Sequence, residues 1–146
     1  MIKNERQYRI TKSQIIRFEK ALQELSSQPN LSATPSILDR AQNDALRSQL
    51  TDLQDEVKEY EALKTGKVTT FNAETFEELP TALIKARIAT GMSQKDLAVR
   101  LGVKEQQVQR YEATNYASAS FDRLRSIVRV LGLTVHEEIS LVGPRV

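Results

Sequence analysis

Cysteine is absent from the 146-residue chain, and with it go disulfides and thiolate metal sites. A reducing cytoplasm is therefore the expected compartment. Tryptophan is absent too, and aromatic residues make up only 5% against 40% apolar residues in all, which suits a helical core of aliphatic side chains. No apolar run approaches the ~20 residues needed to span a bilayer. The opening residues MIKNERQYRITK are charged and lack the apolar stretch of a secretory leader. A soluble protein away from membranes is expected. The single histidine, His136, has no second histidine or cysteine with which to build a triad or a zinc site. There is no glycine-rich phosphate loop, and Asp52, Asp55, Glu56 and Glu59 read as the solvated face of a helix. These absences argue against an enzyme, and neither a metal nor a cofactor is expected.

What is present is an uneven distribution of charge. Residues 80–130 carry nine Lys/Arg against four Asp/Glu, a balance of +5, while the remainder carries twelve against fifteen, or −3. A basic segment joined to an acidic one suits a module that meets phosphate attached to one that does not. The length accommodates one ordinary domain, or a small domain with an extension.

Taken in order, residues 2–10 read as a short polar arm. Thr11 with Gln14 resembles a capping box, and Ile15, Phe18, Leu22 and Leu25 then repeat at helical spacing. Turn formers at 26–34 break this pattern, and Pro35 opens a second one that runs to about Lys64. Leu46, Leu50, Leu53, Val57 and Tyr60 alternate there by four and three, which is a coiled-coil seam. One hairpin of two helices buries little apolar surface by itself, so the seam predicts a homodimer. Packing of the seam on the C-terminal domain of the same chain is the alternative. Residues 67–75 read as a linker, with a short strand at 67–71. Thr75 and Glu78 suggest a further cap before Leu79, Leu83, Ile84 and Ile88. Later, Phe121, Leu124, Ile127, Val128 and Leu131 form the buried face of a last helix, and the alternation after Gly132 suggests a short C-terminal strand.

The centre of the chain is residues 92–112, MSQKDLAVRLGVKEQQVQRYE. Ser93 is a good N-cap, and Leu97, Ala98 and Leu101 share one helical face. Gly102 ends that helix because glycine enters the left-handed region at little cost. Val103, Val108 and Tyr111 supply the apolar side of a second helix, and the small Ala98 lets the two pack closely. This is the pattern of a helix-turn-helix, whose second helix can lie in a DNA major groove. Gln94, Ala98, Gly102, Val103, Val108 and Glu112 stand at the spacing Q-x3-A-x3-G-V-x4-V-x3-E. In this the segment from about residue 79 to 133 resembles the lambda-repressor-like, or XRE, family of DNA-binding proteins.

The resemblance implies roles for particular residues. Gln94 would hold a DNA phosphate and brace the recognition helix, and Arg87 would pair with Glu112. Lys104, Glu105, Gln106, Gln107 and Arg110 occupy the outward positions of helix 104–112, where Gln suits adenine and Arg suits guanine. Glu105 departs from the usual small polar or basic residue. It would accept from cytosine, repel phosphate, or pair with a neighbouring cation. Ser93, Asn115, Tyr116 and Ser118 flank the motif as candidate phosphate contacts. The expected architecture is all-α, with a dimerising hairpin at 1–66, a linker at 67–75 and an XRE-type domain at 76–146. The expected function is a dimeric transcriptional repressor that binds double-stranded DNA at a palindromic operator. Two alternatives stay open: an antitoxin whose N-terminal half binds a toxin protein, and a helical assembly protein that does not touch DNA.

Overall fold

The computed structural model describes residues 1–27 and 36–143, and among these all regular structure is helical. The helices are α1 (Glu5–Ser27), α2 (Ile37–Lys64), α3 (Leu79–Ala89), α4 (Gln94–Leu101), α5 (Glu105–Ala113) and α6 (Phe121–Val130). They group into two compact units, Met1–Ser93 and Gln94–Val146.

In the first unit α1 begins at Glu5, well ahead of the Thr11 cap that the sequence suggests. Asn4 is the cap: its Oδ1 accepts from the Gln7 amide at 2.9 Å, and its carbonyl accepts the first helical bond from Tyr8. The Gln7 side chain folds back to accept from the Lys3 amide at 2.8 Å. Residues 4–7 thus use the same cap signature as residues 11–14, about two turns upstream. Thr11 is buried within the helix instead, and Ile2, assigned above to a polar arm, is 2% exposed in the core.

Helix α2 is capped by Ser36, whose side chain accepts from the Asp39 amide while Asp39 accepts from the Ser36 amide, both at 3.1 Å. Ser26 and Ser27 end α1, whereas the other turn formers up to Thr34, and Pro35, lie outside the described residues. The two helices pack together and run antiparallel, since Tyr8 near the start of α1 stacks on Tyr60 near the end of α2, with ring centroids 5.2 Å apart. The Tyr60 hydroxyl donates to Glu5. Burial, followed by the Glu5 carboxylate, raises its pKa above the ordinary 10.0.

Burial along this hairpin is graded. Val57, Tyr60 and Leu63 are buried, whereas Ile15, Phe18, Leu22, Leu25, Leu46, Leu50 and Leu53 are only half-buried. The physical reason is α3, which packs on α2 and contributes Leu83, Ile84, Ala86 and Ile88 to the core. A Lys85–Glu59 ion pair at 2.5 Å joins the same two helices. Val57 and Tyr60 therefore lie inside their own unit, and of the expected seam Leu46, Leu50 and Leu53 remain half-buried.

Residues 67–71 form no strand. Thr75 makes no side-chain cap; a single 3-10 turn at Phe76–Glu78 precedes α3, and Pro80 sits in the first turn of α3. There its missing N–H costs nothing. Arg87 is 2% exposed. Its Nη1 donates to the Met92 carbonyl at 2.7 Å and its Nη2 to the Lys3 carbonyl at 2.5 Å. One guanidinium thereby ties α3 to the loop after it and to the segment before α1.

The second unit is α4, α5 and α6, with α4 packed against both of the others. Leu97, Ala98, Val108, Tyr111, Ile127 and Leu131 make its core. Ser120 caps α6 by accepting from the Arg123 amide at 3.1 Å. Phe121, expected inside, is 68% exposed, because the first residue of a short capped helix precedes the stripe that reaches the core. The C-terminal strand is absent: residues 133–142 have no regular structure, and Ile139 and Leu141 are more than 90% exposed. Among the described residues no neighbouring strand exists to accept their backbone bonds, and alternation without a partner does not make a sheet.

Candidate DNA interface

Two short helices and the turn between them build the site. Gly102 takes φ +68°, and the Gly102 and Val103 amides donate to the carbonyls of Val99 and Ala98 at 3.2 and 3.0 Å. Those bonds satisfy the last carbonyls of α4 and reverse the chain within two residues. Ala98 is 2% exposed, a small side chain buried on a helix that packs directly against α5. Lys104, extended at φ −75° and ψ 148°, is the N-cap of α5.

Helix α5 is held along its inner face and near its C-terminal end. Val108 and Tyr111 are buried on its inner face. At its far end Glu112 is completely buried, and its Oε2 accepts from Nε2 of Gln94 at 2.7 Å. Gln94 opens α4 and Glu112 lies eighteen residues later, so this buried hydrogen bond ties one helix to the other. A hydrogen bond to a buried carboxylate is stronger than one between neutral groups and is costly to break. Gln94 therefore braces α5 from within.

The outward face of α5 presents Lys104, Glu105, Gln106 and Arg110 to solvent, with Gln107 half-buried. A surface depression lined by Gly102, Val103, Lys104, Gln106, Gln107, Arg110 and Tyr111 runs along it. Glu105 accepts from Gln109 Nε2 at 3.3 Å, one turn further along the same helix. Gln109 is exposed and joins this face, a residue that the outward pattern 104–107 and 110 leaves out. Its i,i+4 spacing from Glu105 is the signal that points to it.

The flanking candidates fall in different places. Ser93, which directly precedes α4, is exposed, as are Asn115 and Ser118. Tyr116 is 4% exposed and stacks on Tyr111 at 6.0 Å between ring centroids, so its ring packs in the core. Asn115 and Tyr116 both have positive φ. Asparagine tolerates this conformation, whereas a tyrosine there is unusual; the Tyr116 amide donates to the Tyr111 carbonyl and closes α5 with its ring folded underneath. Arg87 and Glu112, expected to pair, are both buried, and each has the hydrogen bonds described above.

Residues 83–137 match a family model described as Helix-turn-helix. The segment is a helix-turn-helix of the XRE type. No curated protein and no solved structure matches the chain. The XRE-type segment supports a DNA-binding regulator as the general class. In DNA-binding proteins with this motif the second helix enters the major groove with its N-terminal residues against base edges; α5 is the second helix of the pair in this chain. Among the described residues no group of three or more His, Cys, Asp or Glu is placed to hold a metal ion, and no helix is long and apolar enough to cross a membrane.

Proposed function

We propose that the chain is a sequence-specific transcriptional regulator, a homodimeric repressor that reads its operator through α5. The observation that carries this is the contrast between the two faces of that helix. Its inner face is locked by the buried Gln94–Glu112 bond, while Lys104, Gln106, Gln107 and Arg110 project around an open depression. Gln and Arg are the side chains that make bidentate bonds to adenine and guanine edges. Exposed Ser93, Asn115 and Ser118 supply neutral polar groups suited to phosphates. Selection of bound duplexes from a random pool tests the reading. Enrichment of a two-fold symmetric site supports it, and recovery of no preferred sequence at low salt rejects it.

The dimer rests on the half-buried outer part of the hairpin, where Leu46 and Leu50 are not fully covered. A second hairpin laid on this surface would complete their burial. Full burial of a leucine is worth roughly 1.5–3 kcal/mol, so two half-buried ones leave about 2 kcal/mol to gain on association. Leu46→Asp with Leu50→Asp should convert a dimer to monomer in sedimentation equilibrium while the second unit stays folded. A variant that sediments as a dimer would move the interface elsewhere.

A further inference from the structure

Helix α1 carries a feature that the helix-turn-helix does not account for. Arg6, Arg9, Arg17 and Lys20 are spaced by three, eight and three residues, which places them within one face of a helix. All four are exposed. The face lies opposite the half-buried seam of Ile15, Phe18 and Leu22, and it extends over about 21 Å. Arg6, Arg9 and Arg17 line a single surface depression together with Ile10 and Gln14. Glu24, one turn beyond Lys20, ends the run of single-sign charge.

Among the described residues none of these four cations has an ion-pair partner. The contrast with Lys12 on the same helix is direct. Lys12 lies 3.9 Å from the Glu61 carboxylate and 5.6 Å from the centre of the Tyr8 ring. Like charges one turn apart destabilise a helix by a few tenths of a kcal/mol per pair, so Arg6 beside Arg9 works slightly against α1. Three of the four are arginines, whose planar fork of donors matches phosphate oxygens. Gln14 adds a neutral donor of the kind that contacts phosphates.

We infer that this face of α1 is a second nucleic-acid contact, which grips two or three phosphates of duplex DNA without reading its sequence. It lies outside residues 83–137, and it rests on the DNA-binding reading given above. DNA is favoured over an acidic protein surface because the cations form a line with no carboxylate among them until Glu24. A phosphodiester backbone is a line of charge of one sign, whereas protein surfaces intersperse both.

The test is the salt dependence of binding by the full chain, read by fluorescence anisotropy on the selected duplex and on a scrambled one. Each phosphate contact contributes about 0.9 to the slope of log affinity against log salt. The variant Arg6→Gln, Arg9→Gln, Arg17→Gln keeps good helix formers on an exposed face. It should lower the slope by about 2–3 on both duplexes. Their affinity ratio should not change. Replacing the same three residues with lysine should keep the wild-type slope, since it is charge that releases counterions. A glutamine variant with the wild-type slope and full helical circular dichroism would overturn the inference and leave the stripe to an acidic protein partner. A wild-type chain that binds neither duplex would instead overturn the DNA-binding reading, and this one with it.

Discussion

Arg87→Ala is expected to lower the urea midpoint of the first unit by roughly 2 M, a far larger effect than loss of any exposed arginine would give. A hydrogen bond to a charged group is worth about 1.5–3 kcal/mol, and Arg87 donates two, to carbonyls in separate segments of the chain. Loss of these two comes to about 3–6 kcal/mol, which for an m-value of about 2 kcal/mol/M brackets that shift. Arg87→Lys should restore little, since a single ammonium on a flexible stem cannot reach both carbonyls as the guanidinium fork does. Amide hydrogen exchange in α1 and α3 locates the effect: both helices should lose protection together, because the Lys3 carbonyl precedes one and Arg87 sits in the other. An unchanged midpoint would mean that these bonds contribute nothing net, with water taking their place in the variant.

Gln106→Ala and Arg110→Ala should each cost ~1–3 kcal/mol on the best operator, a loss of up to about 150-fold, and much less on scrambled DNA. The two substitutions therefore relax specificity as well as weaken binding. Gln94→Ala should act differently. Its amide is buried against Glu112, so its removal loosens α5 as a body and weakens every duplex by a similar factor. A dimer should protect half-sites about 34 Å apart, or a multiple of that. All of these comparisons belong at one stated salt concentration, because the phosphate contribution varies steeply with it. If Gln106→Ala and Arg110→Ala lowered both affinities equally, α5 would not be the reading helix.

We propose three ends for arginine in this chain, each argued from its surroundings. Arg6, Arg9 and Arg17 are exposed, so their charge is available to a partner and nearly neutral for the fold. Arg87 is 2% exposed and is occupied with backbone carbonyls, so its charge serves the fold. Arg110 is exposed on a helix that the core holds still, which is what a base contact requires. The residue type is the same in all three settings: burial sets Arg87 apart, and the exposed ones differ in the helix that carries them, α1 or α5.

The helix-turn-helix was legible in the amino-acid sequence because its determinants are local. A glycine at the turn, a small residue at the close approach and apolar side chains at a 3.6 period all lie within residues 92–112, and the chain folds there as the pattern requires. The long helix α2 was legible for the same reason. Other features depended on what each stripe packs against, which periodicity does not encode. Val57 and Tyr60 look like a continuation of the Leu46–Leu50–Leu53 seam, yet α3 and Tyr8 cover them. Thr11 with Gln14 and Asn4 with Gln7 carry the same capping signature, and burial of Ile2 decides for the second. Arg87 reaches a carbonyl 84 residues away, a distance over which sequence spacing carries no information. The alternation after Gly132 shows the limit most plainly. A helix satisfies its own hydrogen bonds, so its sequence can suffice, but a strand needs a neighbour, and only the tertiary structure could supply or withhold one.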